Sequence, residues 1–191
     1  MRIINVVSPI LGLLLIAGAA GVHADEQEIE ANGHPTVALA DVLEVVARNS
    51  GREILVDSRT PSRVVVGQVR LKSIDYSILL SILRNNGMAA VVVGKVTNIV
   101  PVDEVRQHPL PVLHEDDDTI DAEEWVTRIV TVENVDAKMM VPILRPLLPR
   151  QGHLAANPAT RTLLIADRYA NVRRVVEIIR KIDAQASRQG Q

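Results

Sequence analysis

The chain has 191 residues, which suits one large domain or two small ones, and 47% of them are hydrophobic, enough to build a core. Aromatic side chains make up only 2%, with Tyr76, Trp125 and Tyr169 and no phenylalanine, so that core is aliphatic. The balance of 21 basic against 23 acidic residues excludes the charge excess of a dedicated nucleic-acid binder, and the absence of cysteine excludes disulfides, thiolate metal sites, cysteine nucleophiles and a lipid-modified cysteine.

The first segment reads as an export signal. Arg2 supplies a positive start, residues 6–21 are almost wholly apolar, and Val22-His23-Ala24 is followed abruptly by Asp25-Glu26. The uninterrupted apolar stretch is shorter than the roughly 18–20 residues that span a bilayer. Cleavage after Ala24, giving a signal peptide over 1–24, is therefore preferred to a membrane anchor. No later segment is apolar enough to span, so no integral membrane span is expected after cleavage.

A first ordered block covers 35–105. Leu39, Val42, Leu43, Val46 and Ala47 line one helical face, and Gly51 stands where a left-handed C-terminal cap is expected. Ile54-Leu55-Val56 is a strand candidate, the stretch through Pro61 a turn, and residues 64–66 and 69–71 a β-branched strand broken by Gly67. Ser73 is the expected cap of a second helix whose face carries Tyr76, Leu79, Leu80 and Leu83. Residues 88–93 and 96–100 form a hairpin around Gly94-Lys95.

The stretch 106–124 contains Pro109, Pro111 and the run Glu115-Asp116-Asp117-Asp118, and reads as a solvated acidic linker. The second block covers 125–183. It opens with a strand over 125–132. A helix follows, capped by Asp136, passing through Met139, Met140, Ile143 and Leu144 and limited by Pro142. Strands over 153–156 and 162–166 flank an Asn157-Pro158 turn, and a final helix carries Val172, Val175, Val176, Ile179 and Ile182. Residues 184–191 read as a frayed polar tail. The expected class is α+β: two similar small α/β modules joined by the acidic linker. The second has the order β-α-β-β-α, as in KH-like domains, with both helices on one sheet face.

A search for chemistry returns no catalytic, cofactor-binding or metal-binding residues. Ser50 and Ser73 read as helix boundaries, not nucleophiles. His34, His108, His114 and His153 show no i, i+4 ligand pair. His114 beside the acidic run could hold a divalent cation weakly, but a solvated spacer accounts for it more simply. No glycine cluster opens a helix for phosphate, and the G-x-x-G clamp of nucleic-acid-binding KH modules is absent. The second block is rich in basic residues, Arg128, Arg173, Arg174 and Arg180 among them. Behind a signal peptide, that charge points to protein or membrane partners ahead of nucleic acid, and it gives the acidic linker a face of opposite sign on which to fold back.

Residues 126–183 resemble an N-terminal repeat of the secretins, the outer-membrane gate proteins of type II secretion and type IV pili. The resemblance is carried by Val135-Asp136-Ala137, Pro142-Ile143-Leu144-Arg145-Pro146-Leu147, Asn157-Pro158, Leu163-Leu164-Ile165-Ala166-Asp167 and Ile182-Asp183. The first block resembles the outermost N-terminal domain of type II secretins, shared with the signalling domain of TonB-dependent receptors. Its features are Val42-Leu43 through Gly51, Ile54 to Asp57, the 64–71 strand and Asn86-Gly87 to Pro101. The connector, with Pro109-Leu110-Pro111-Val112 ahead of Trp125-Val126-Thr127, fits the same arrangement.

What the resemblance implies is a periplasmic component or accessory of a type II protein secretion, or type IV pilus, system. It would act by protein–protein contact with secretin subunits, inner-membrane secretion components or secreted cargo, associated with the outer membrane through a secretin complex and needing no cofactor. In the family the first domain meets inner-membrane components and the second packs side by side in a ring. A full secretin continues into further repeats and a β-rich gate. With the sequence ending after the second module, an accessory is expected, not a channel, and a truncated secretin is the reading beside it. The alternative from another class is a stand-alone periplasmic signalling or binding module related to TonB-receptor signalling domains. An enzyme stands third, discriminated by activity on a broad hydrolase panel.

Overall fold

The computed structural model describes the backbone of residues 28–29 and the chain from 34 to 189; the predicted signal peptide lies outside the described residues. The first module runs β1 (Glu28–Ile29), β2 (Pro35–Ala38), α1 (Leu39–Ser50), β3 (Glu53–Val56), β4 (Arg63–Val65), α2 (Tyr76–Asn85), β5 (Met88–Val93) and β6 (Val96–Pro101). These strands form two separate sheets, β1-β2-β4 and β3-β6-β5, and the helices lie between them. Val42, Val46, Leu79, Leu83, Val64 and Ile99 meet there, all essentially inaccessible to solvent. The helical spacing read from sequence is what buries them.

Local signals explain several boundaries. Gly51 adopts φ +66° and donates to the Ala47 carbonyl, closing α1, and Gly94 at φ +62° makes the two-residue turn of the β5–β6 hairpin. Two expectations are corrected. Asp75, not Ser73, caps α2, its carboxylate accepting from the Ile78 N–H at 2.8 Å, while Ser73 ends a single 3₁₀ turn over Leu71–Ser73. That turn also replaces the strand expected over 69–71: Leu71 already bends the chain toward α2.

The second module contains β8 (Trp125–Thr131), α3 (Ala137–Leu144), β9 (His153–Asn157), β10 (Thr162–Arg168) and α4 (Tyr169–Gln189). To these the connector adds β7 (Val112–Leu113). A single sheet, ordered β7-β8-β10-β9, carries both helices on one face, where Val126, Val130, Leu163, Ile165, Met140, Leu144, Val175 and Ile179 pack. The two modules are therefore unlike: one sandwiches its helices, the other covers one face of its sheet. Asp136 caps α3 through the Lys138 N–H, and Pro142 confines α3 to eight residues. The expected frayed tail is helical through residue 189 as the end of α4.

The connector is not a solvated spacer. A 3₁₀ segment, Val102–Gln107, follows β6, and β7 then pairs in parallel with β8. Leu113 and Ile120, two of its few aliphatic side chains, pack against the second core. The backbone carbonyls of Ala122 and Glu124 accept from the Ala170 and Tyr169 N–H groups and so satisfy the first donors of α4.

Candidate protein-contact surfaces

The two serines at helix boundaries are engaged with the backbone. Ser50 Oγ donates to the Val46 carbonyl at 2.6 Å and Ser73 Oγ to the Arg70 carbonyl at 2.9 Å. No group of three or more potential ligands for a metal ion, His34, His108, His114 and His153 included, occurs among the described residues. The most buried carboxylate, Asp167, has its pKa pushed up by burial. Its oxygens accept from the Arg168 N–H at 2.7 Å and from Asn171 Nδ2 at 3.1 Å, so it holds the start of α4. Gly152 lies against it: a Cβ there would stand 3.0 Å from Asp167 Oδ2.

The junction between the modules is a small core of its own. Trp125 is 3% exposed and packs with Ala89, Val91, Val100 and Val105 on the face of the β5–β6 hairpin that points away from α1 and α2. Beside it Glu123 pairs with Arg84 of α2 at 2.8 Å and with Arg168 of β10 at 3.2 Å, and Arg168 lies over the Trp125 ring at 5.3 Å. Glu124 is pulled out of water at the same boundary, and burial raises its pKa. The acidic run then crosses the second module. Asp116 lies between Arg128 at 3.7 Å and Arg180 at 3.6 Å, Asp118 faces Arg173 at 3.6 Å, and the Asp117 N–H donates to Tyr169 Oη at 2.6 Å.

What remains exposed is apolar in three places. On α3 and the turn after it, Met139, Ile143 and Leu147 make an outward ridge; Met139 is 65% and Ile143 57% exposed. The two intervening prolines, Pro142 and Pro146, are exposed as well. On the opposite face of the sheet, beyond the end where Trp125 meets the first module, Ile129, Leu164 and Ala155 lie abreast on three neighbouring strands. In the first module Leu55 is 60% and Val56 45% exposed on β3, an edge strand. Such concentrations mark contact sites more often than scattered surface aliphatics do.

Residues 127–188, which build this one-faced module, match the family described as "Bacterial type II/III secretion system short domain". The chain carries a secretin N-terminal domain. Similarity to whole secretins extends upstream through the first module. The secretin XcpQ of Pseudomonas aeruginosa is 30% identical over 178 residues, covering 89% of this chain and 26% of that protein. The secretin GspD of Vibrio cholerae is 30% identical over 155 residues, covering 76% of this chain and 22% of that protein. The chain thus spans about a quarter of the length of the curated relatives it matches, and the matched region is their N-terminal part. A solved chain in the Klebsiella pneumoniae type II secretion system outer membrane complex, with PulD, PulS and the PulC HR domain, has the same fold. Its TM-score is 0.63 at 22% identity, covering 77% of this chain and 26% of that one.

The secretin-type motifs acquire physical roles. Asp183, at the far end of the match, draws in the loop before α3: its carboxylate accepts from the N–H groups of Glu133, Asn134 and Val135, Asn134 at 2.8 Å. Although partial burial works the other way, those donors hold its pKa below the usual range. Sequence reasoning missed the roles of Gly152, Asn86 and Glu123, and side-by-side packing of the second block implied an exposed aliphatic patch without singling out Met139, Ile143 and Leu147. Asn86 is the least visible of these. Its side-chain amide accepts from the Val65 N–H and donates to the Val65 carbonyl, both at 2.9 Å, and so seals the outer edge of β4 as a neighbouring strand would.

Proposed function

We propose that this chain is a periplasmic component or accessory of a type II protein secretion system, or of related type IV pilus machinery. In this reading it holds protein partners and does not catalyse. The observation that carries the reading is the exposed α3 ridge of the secretin-type module, backed by the unlike apolar row on the opposite side of the same module. Two dissimilar apolar patches on opposite sides suit head-to-tail packing of neighbouring subunits, the heterologous contact that closes rings. The partners are secretin subunits, inner-membrane secretion components and secreted cargo; the Klebsiella structure with the same fold is itself an outer membrane complex. No helix among the described residues is long and apolar enough to cross a membrane. The signal-like pattern of residues 1–24 supports a periplasmic place, associated with the outer membrane through a secretin complex.

The test is affinity capture of the tagged chain from cross-linked, detergent-solubilised envelopes, identified by mass spectrometry. Enrichment of a full-length secretin or an inner-membrane secretion component is expected, with at least tenfold less recovery from an Ile143→Asp, Leu147→Asp variant. Recovery of the chain alone, at normal expression, rejects the assignment.

A further inference from the structure

We propose that the free edge of β3 is a docking site for an extended segment of a partner protein, which joins the first module's three-stranded sheet as a fourth strand. The proposal rests on the reading of this chain as a protein-contact component, and it specifies how one contact is made.

Three independent features meet at this edge. The first is the backbone. β3 pairs in parallel with β6 and is at the end of the order β3-β6-β5. The Asp57 N–H reaches the Ile99 carbonyl at 3.0 Å, which fixes the alternation: Leu55 turns its peptide groups inward, and Ile54 and Val56 turn theirs out, where no described strand meets them. β4, at the end of the other sheet, differs: Asn86 seals its outward peptide groups, and no such side chain meets those of β3 among the described residues.

The second feature is the pair of depressions flanking the edge. Val56 borders one on the helix side, with Leu39, Leu43 and Pro61. Leu55 borders the other on the opposite face, with Asn98, Val100 and His108. An added strand places successive side chains on alternate faces, so its residues would enter the two depressions in turn. In strand addition the main chain supplies affinity and such pockets supply selectivity.

The third feature is charge. Glu53 opens the strand, is exposed and has no ion pair among the described residues, whereas Asp57 at the other end is already held by Arg59 at 2.9 Å. The edge therefore favours a segment that sets Lys or Arg abreast of Glu53. A second copy of β3 is disfavoured, because antiparallel pairing about Leu55 would set Glu53 against the Asp57 of that copy, and like charges directly opposite destabilise a ladder. The occupant is a strand-forming segment of another protein, apolar at alternate positions and carrying a basic residue.

The experiment selects a phage-displayed library of random peptides on the full chain and then tests one enriched peptide in synthetic form. The expected peptides alternate apolar and polar residues and contain Lys or Arg. Their affinity falls at least tenfold in Val56→Pro, which deletes an outward N–H and spares the bonds to β6, and is unchanged in Leu147→Asp on the second module. In the unmodified chain, the bound peptide slows amide exchange at Ile54 and Val56 at least tenfold. That measurement decides the matter if Val56→Pro does not fold. No enrichment above an unrelated protein, equal binding by folded Val56→Pro, or unchanged exchange at both amides overturns the proposal. If envelope capture recovers a secretin equally well with folded Val56→Pro and those amides stay unprotected, this site fails and the secretion assignment stands. Peptide binding as described, with no secretion component captured, leaves the site standing and removes the assignment.

Discussion

The two modules solve the same burial problem differently, and the difference decides what each can offer a partner. The first encloses α1 and α2 between two sheets, so its large apolar surface is spent inside and its free features are strand edges. The second lays both helices on one face of one sheet, so a helix ridge and a sheet face remain outward. The first module is suited to recognition through main chain, the second through side-chain packing. Trp125 binds these two surfaces into one unit by filling the back of the hairpin that the first module's helices do not cover.

The comparison is broken most severely at that residue. Trp125→Ala is expected to cost about 3–5 kcal/mol and to split one cooperative unfolding transition into two, read by circular dichroism against urea. A single unshifted transition would show that the modules are coupled elsewhere. Gly152→Ala should act on the second module alone. The added methyl meets a carboxylate already fixed by Arg168 and Asn171, and a loss of about 1–3 kcal/mol is expected, with amide protection in the first module unchanged.

Asp183→Asn sharpens the same distinction through pH. The Asp183 carboxyl is held below its unfolded value of about 4, so its contribution is present above that pH and is lost as pH falls through the folded value. The variant should lose about 1 kcal/mol at neutral pH, a discounted figure for a half-exposed group, and should show a weaker acid dependence of its melting temperature. Glu124→Gln should have the smallest effect and the opposite sign. Burial raises the Glu124 pKa, so its charge costs stability once pH rises through the folded value. Removing the charge should raise the melting temperature slightly at pH 7 and leave it unchanged in acid, checked by calorimetry at the two pH values.

Much of this fold is legible in sequence because its signals are local. The spacing of Leu39, Val42, Leu43 and Val46 places α1, and Gly51 and Gly94 mark positive-φ positions within their own turns. Ser73 and Asp75 are both cap-type residues two positions apart, and only the path of the 3₁₀ turn selects Asp75. What sequence reading misses depends on partners far along the chain. Opposite charges close in sequence bring the acidic run onto Arg128, Arg173 and Arg180, as their signs suggest, whereas composition makes 106–124 look solvated and hides the anchoring of Leu113 and Ile120 in a core. The contact ridge hides for another reason: α3 is apolar on nearly every side, so Met139 and Ile143 cannot be told from the buried Met140 and Leu144 by residue type. The split of the first module's strands into two sheets is likewise a matter of long-range pairing and has no counterpart in local pattern.

Trp125 is the only tryptophan in the sequence, and it is buried where the modules meet. Intrinsic fluorescence excited at its absorption edge therefore reports on that boundary alone, with no label to attach. Water reaching the indole shifts its emission to the red, so the optical signal of the unmodified protein distinguishes partners that bind the joined modules from partners that prise them apart.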